Sequence, residues 1–192
     1  MPSWSAVSSA GDPPGRDTRG ADVLIAVDVG TSGARASAFE VSGAPLDEVR
    51  RPYPTYLPAE GWAEQDARRW QSAALSALGA LVRSLGPRAR VRAVAVTGQC
   101  PSVVPLDRRD LPLGPGIIYR DNRATAEADW MREKFGDAGL HELTGHVPAA
   151  FHVATKTLWL RAHQPEVFAE TRRFVQPTDY VALGLTGNAT TD

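Results

Sequence analysis

Residues Val23 to Phe39 constrain this chain more than any other stretch. They run Val-Leu-Ile-Ala-Val-Asp-Val-Gly-Thr-Ser-Gly-Ala-Arg-Ala-Ser-Ala-Phe, an apolar strand, a turn of glycines and hydroxyl residues, and a second strand. The run from Val23 to Val29 is apolar apart from Asp28, as expected of a strand covered on both faces. A carboxylate is costly to bury without a partner, so Asp28 is expected at the strand's exit, facing a polar cleft. Gly30 and Gly33 permit positive φ and close approach of a ligand to the backbone. Thr31 and Ser32 add hydroxyls, and the amides of the bend can form an anion-binding nest. A carboxylate beside such a nest suits a magnesium-bound polyphosphate, the amides on phosphate oxygens and the acid on the metal or its waters. The same pattern also suits an ordinary hairpin with an Asp before its turn. It differs from the loop-to-helix phosphate sites of P-loops and Rossmann folds.

The 192 residues fit one domain, or one and a fraction, with 43% hydrophobic residues to form a core. The net charge of −1 gives no reason to expect nucleic acid or an acidic membrane as partner. Of 21 basic residues all but Lys134 and Lys156 are arginine. The single cysteine, Cys100, rules out an internal disulfide and fits a reducing compartment. No apolar run reaches the roughly 18 residues that cross a bilayer. Residues 1–21, rich in Ser, Gly, Pro and Asp, have neither a basic nor an apolar signal region and read as a disordered leader. A cytoplasmic location is expected.

A third strand is predicted at Leu46–Tyr53, antiparallel to the second, and Pro52, Pro54 and Pro58 then impose an extended loop. Asp66 is placed to cap a helix over Ala67–Leu85, whose apolar stripe includes Trp70, Ala74, Ala77, Leu81 and Leu85, and Gly86-Pro87 ends it. Val91–Thr97 reads as a strand parallel to the first after this crossover. The loop Gly98-Gln99-Cys100-Pro101-Ser102 follows at its carboxyl end, where α/β sheets place ligands. Short strands are predicted at Ser102–Leu106 and Gly116–Tyr119. Asp121-Asn122 can cap a helix over Arg123–Phe135 with Trp130, Met131 and Phe135 inward. A helix over Val153–Ala162, a strand near Arg173–Gln176 and a helix over Pro177–Leu185 complete the order. Trp159 also falls on an apolar stripe. The four histidines lack zinc-ligand spacing. The order β-β-β-α-β-α predicts an α/β, ribonuclease-H-like fold with a mixed five-stranded sheet and flanking helices.

Several motifs point further. Asp28-Val29-Gly30-Thr31-Ser32-Gly33 resembles the first phosphate motif of the sugar kinase, Hsp70 and actin superfamily. Gly61-Trp62-Ala63-Glu64-Gln65-Asp66 is similar to the Gly-Trp-x-Glu-Gln-Asp-Pro signature of FGGY carbohydrate kinases, with Ala67 in place of Pro. Thr97-Gly98-Gln99, Ile117–Arg123, Thr144-Gly145, Thr155-Lys156 with Leu158-Trp159-Leu160, Gln176–Tyr180 and Leu185-Thr186-Gly187 follow the same family's order and spacing over about residues 22–192. The series resembles the N-terminal, sugar-side domain of FGGY carbohydrate kinases, nearest the xylulokinase-like branch.

The resemblance implies an ATP-dependent transfer of the γ-phosphoryl to a hydroxyl of a pentulose or related polyol, with Mg2+ and ATP. It implies that Asp28 holds the metal, that Gly30, Thr31, Ser32 and Gly33 cradle phosphate, and that Trp62, Gln99, Cys100 and Asp121 meet the substrate. Trp62 reads equally as a staple of its loop onto the next helix, and Asp121 equally as a helix cap. Glu64 and Gln65 are expected to hold the loop backbone, and Lys156 can lie on a helix surface or reach the cleft. Cys100-Pro101-Ser102 departs from the family's usual Met-His-Gly, and Tyr119-Arg120 from Trp-Asn, both at positions expected to contact sugar hydroxyls. The family's general-base Asp and adenine-binding domain would lie beyond residue 192. The chain is therefore expected to be incomplete at its C-terminus, not catalytically competent alone, and prone to self-association. A homodimer is possible for a full-length form. The rival expectation is a non-catalytic sugar-binding or interaction module left by loss of the second domain.

Overall fold

The computed structural model describes residues 20–191, and the expected leader lies almost wholly outside them. β1 (Asp22–Val29), β2 (Gly33–Glu40) and β3 (Pro45–Pro52) form an antiparallel meander. A two-residue strand, β4 (Glu64–Gln65), leads into α1 (Ala67–Leu85), which crosses to β5 (Arg90–Gly98). β5 runs parallel to β1, with Asp28 opposite Thr97, so the main sheet has the order β3-β2-β1-β5. Asp66 caps α1 as predicted, its carboxylate accepting from the Arg68 N–H. Gly86 closes the helix.

After β5 come β6 (Val104–Leu106), β7 (Gly116–Ile117), α2 (Thr125–Phe135), α3 (Asp137–Thr144), α4 (Val153–His163), α5 (Pro165–Glu170), β8 (Arg173–Val175) and α6 (Pro177–Thr186). β8 pairs with β6, and β7 with β4, so among the described residues the main sheet has four strands instead of five. α3 and α5, short helices stopped by Gly145 and begun by Pro165, have too few apolar positions to show a period in the sequence.

The core lies between one face of the sheet and α1. Val23, Ile25, Val27 and Val29 of β1, with Ala34, Ala36 and Ala38 of β2, pack against Trp70, Ala74, Ala77, Leu81 and Leu85. Small alanines on β2 let the helix sit close, and each large buried side chain contributes about 1.5–3 kcal/mol. The expectation that β1 is covered on both faces is corrected. Its residues alternate, because α1 lies across one face of the strand, and α6 packs beside α1 on that same face, against the carboxyl end of β5. Leu24 stays exposed on the second face, while Val91 and Val94, in register with Val23 and Ile25, are exposed at the β5 edge on the α1 side. Two aromatic placements on α2 are also corrected. Trp130 and Phe135 are 46% and 53% exposed and meet edge-to-face, with the Lys134 ammonium over the Trp130 ring; Ala128 is the buried residue of that helix.

Candidate functional site

The turn between β1 and β2 sits where the carboxyl ends of the parallel strands β1 and β5 come together. Antiparallel register places Asp28 opposite Arg35, and Arg35 Nη2 donates to Asp28 Oδ2 at 3.0 Å. Arg35 also lies 3.7 Å from Glu48. A cavity of about 280 Å³ opens here, lined by Asp28, Gly30, Ser32, Gly33, Arg35, Arg50 and Arg51. Arg50 is held by Glu48 at 2.6 Å and Arg51 reaches Ser76 of α1, so Asp28 with Arg35 forms the charged pair at this turn, a carboxylate for a cation beside a guanidinium for an anion. Among the described residues no group of three or more His, Cys, Asp or Glu could hold a metal by itself. A metal at Asp28 would therefore take its other ligands from phosphate and water. Mg2+ behaves in this way, so the residues fit that ion.

The glycines act differently from expectation. Gly30 has no positive φ, and its N–H donates to the Gly33 carbonyl at 3.0 Å. Gly33 is required by its neighbours: a Cβ there would stand 2.6 Å from the Arg51 carbonyl oxygen and 2.8 Å from Pro52 Cα. The turn's shape thus depends on close approach of β3. Tyr53 Oη donates to the Gly30 carbonyl from beneath, and burial, with the Asp28 charge adding, holds that phenol well above its usual pKa. Thr31 Oγ1 lies 3.5 Å from Tyr119 Oη across the cleft.

Gln65 joins the turn to the loop after β5. It is fully buried, and all four of its hydrogen-bonding positions are used. Its Nε2 donates to the Thr31 carbonyl and to Thr55 Oγ1, each at 2.7 Å. Its Oε1 accepts from Trp70 Nε1 and from Gln99 Nε2, also at 2.7 Å. The loop-holding role expected for Gln65 is correct, but its reach to both Thr31 and Gln99 was not foreseen. The signal the sequence carries is the place of Gln65 in the Gly61–Asp66 motif. Gln99 is itself buried, with its Oε1 unpartnered.

Trp62 and Asp121 form a second cluster through Arg123. Asp121 is 0% exposed and accepts from the Ala63 N–H at 2.6 Å and from the Arg123 backbone and side chain at 2.7–3.0 Å. Arg123 Nη2 also reaches Glu64 at 2.7 Å, and its side chain is 1% exposed. Its guanidinium stacks 3.7 Å from the centroid of the Trp62 ring, whose edge contact with Trp159 spans 5.3 Å between centroids. The reading of Asp121 as the cap of α2 is corrected. That helix starts at Thr125 with no side-chain cap, because the carboxylate is held by Arg123 and the 61–64 loop. Arg123 closes the Ile117–Arg123 motif in the sequence, but nothing there assigned it this anchoring role.

Lys156 lies in the interior, not on the surface of α4. Its Nζ donates to the carbonyls of Pro101 at 3.0 Å and Ile118 at 2.9 Å, tying the loop after β5 to the end of β7. Burial lowers its pKa from 10.5 to about 8, and the Arg123 charge pushes the same way, against Asp121 and Cys100. Cys100 is exposed at this loop and, with Pro101, lines a cavity of about 540 Å³ beside α2, α3 and α4. The structure therefore links Asp28, the 30–33 turn and Gln99 through Gln65, and joins Trp62 to Asp121 through Arg123. Cys100 faces a separate, apolar space.

This mixed sheet, with an acidic hairpin turn at the carboxyl end of its parallel strands, has the ribonuclease-H-like architecture of sugar kinases of the actin-like ATPase fold. The chain superposes on the xylulose kinase of Rhodospirillum rubrum with a TM-score of 0.85 at 29% identity, over 88% of this chain and 35% of that one. It is 32% identical over 165 residues to the xylulose kinase of Bacillus subtilis (strain 168), covering 85% of this chain and 33% of the relative. It is 34% identical over 173 residues to that of Streptomyces rubiginosus, covering 88% and 35%. The profile of the N-terminal domain of the FGGY family of carbohydrate kinases matches residues 23–192, and the chain belongs to that family. It spans about a third of the length of the curated relatives it matches.

Proposed function

We propose that this chain is the sugar-side domain of an ATP-dependent carbohydrate kinase that transfers the γ-phosphoryl to a hydroxyl of a pentulose or related polyol. One observation carries the reading: the turn at which Asp28 meets Arg35 is hydrogen-bonded through Gln65 to Gln99 on the neighbouring strand end. Phosphoryl transfer needs chiefly positioning and charge neutralisation, and this arrangement offers both. In the proposal Asp28 holds Mg2+, residues 30–33 hold phosphate, and Arg35 passes from Asp28 to phosphate oxygen as the metal enters. Gln99, Trp62 and the loop at Cys100 face the acceptor. Asp121 acts through Arg123, holding the face of Trp62 and the 61–64 loop in place. We assign the general base and the adenine site to a further domain, since Asp28 and Asp121 are both committed to arginines.

The test is calorimetric titration of the chain with sodium tripolyphosphate, with and without Mg2+. Mg2+ is expected to tighten binding in the parent chain and to have no such effect in Asp28→Asn, which keeps the three arginines. Equal Mg2+ dependence in the two proteins, or none in either, ends the reading.

A further inference from the structure

The cavity beside the loop after β5 has a chemistry that a fully hydroxylated sugar does not match. Its volume, about 540 Å³, lies in the range that accommodates drug-sized ligands. Its walls are Cys100 and Pro101 from the loop, Met131 of α2, Leu140 of α3, and Phe151 and Val153 at the start of α4. The hydroxyls at its margin already direct their protons to the backbone. Thr155 Oγ1 donates to the carbonyls of Ala149 at 2.8 Å and His152 at 2.9 Å, and Thr144 Oγ1 to that of Leu140 at 2.7 Å. Pro101 has no N–H, and its carbonyl accepts from Lys156.

What remains is the pair of imidazoles of His146 and His152, whose ring centroids are 5.5 Å apart. Burial lowers the pKa of His152, with His146 and Lys156 acting in the same direction. A polyol hydroxyl entering this space would lose its bonds to water and find few in exchange, whereas an alkyl or aryl group would lose none.

Position decides what kind of apolar group belongs here. Cys100 directly follows Gln99, and Gln99 is bonded through Gln65 to the turn at Asp28. The cavity therefore begins one residue from the strand end assigned to the acceptor. We propose that it receives an apolar substituent of that acceptor, so that the preferred substrate is an alkyl- or aryl-substituted polyol and not a fully hydroxylated pentulose. This rests on the carbohydrate-kinase reading above. The Cys-Pro pair in the loop suits it, supplying apolar surface where a histidine would supply a polar end.

The test compares xylitol, 1-O-benzylxylitol and benzyl alcohol by calorimetry on the full chain. Burying a phenyl ring in this space is expected to make 1-O-benzylxylitol bind at least tenfold more tightly than xylitol, and more tightly than benzyl alcohol. Phe151→Ala, at an exposed position, is expected to reduce the preference for the benzyl ether to below threefold, and Met131→Ala to reduce it in the same sense. Xylitol binding as tightly as its benzyl ether overturns the proposal. So does benzyl alcohol binding as tightly as the ether, which would detach the cavity from the acceptor, or absence of binding by all three. The tripolyphosphate titration is independent of these outcomes, so failure here is distinguishable from failure of the kinase reading.

Discussion

Replacing Gln65 by Met tests the hydrogen-bonded link between the phosphate turn and the acceptor strand. Met has nearly the volume of Gln, so no cavity is expected and the loss reports on polar groups alone. Four hydrogen bonds disappear, but their costs are unequal. Thr31 and Thr55 are partly exposed, and their oxygens can turn to water. Trp70 Nε1–H and Gln99 Nε2 belong to buried residues, and Gln65 Oε1 is their acceptor. A buried donor left without a partner costs about 1–3 kcal/mol, so two give about 2–6 kcal/mol. That is a large share of the roughly 5–15 kcal/mol that holds a domain folded. Urea unfolding followed by circular dichroism would measure it as a lower midpoint at unchanged slope. Trp70→Phe removes one stranded donor, so the Q65M/W70F cycle should show about 1–3 kcal/mol of coupling. A Q65M loss below about 0.5 kcal/mol, or strictly additive effects, would refute the argument that buried, unpaired donors set the cost.

Three further outcomes are expected. Arg123→Met leaves the buried Asp121 charge uncompensated and should cost about 3–5 kcal/mol in urea unfolding, with D121N/R123M less damaging than R123M alone. Because the pKa of Lys156 falls from 10.5 unfolded to about 8 folded, the unfolded chain binds more protons between those values. Stability should therefore rise with pH across that window by about 3 kcal/mol, a rise that a pH series of denaturation curves should not find in Lys156→Met. Val91 and Val94 are exposed on β5, the open edge strand of the main sheet among the described residues, so the chain should self-associate at tens of micromolar; Val94→Lys should raise the monomer fraction in sedimentation, and a monodisperse parent chain would contradict this.

Local chemistry made much of this protein legible from its residues. The apolar run with Asp28 at its end, the glycine-hydroxyl turn, Asp66 before a helical stripe and Gly86-Pro87 after it carry their own signals, because periodicity, capping and φ preference act within a few residues. The parallel placement of β5 followed too, since a strand after a helical crossover has few options. The motif series from Trp62 to Gly187 carried the family in the same way.

What the tertiary structure alone decided depends on partners distant in sequence. Whether β1 is covered once or twice turns on where α6 lands. That position 33 must be glycine turns on the approach of Arg51 and Pro52, and Asp121 becomes a buried anchor only because Arg123 folds between it and Trp62. Gln65 shows the difference most clearly: its identity is visible in the sequence, but its four partners come from Thr31, Thr55, Trp70 and Gln99. A side chain's charge and shape are properties of its own residue, while its burial and its hydrogen-bond partners belong to the packed chain.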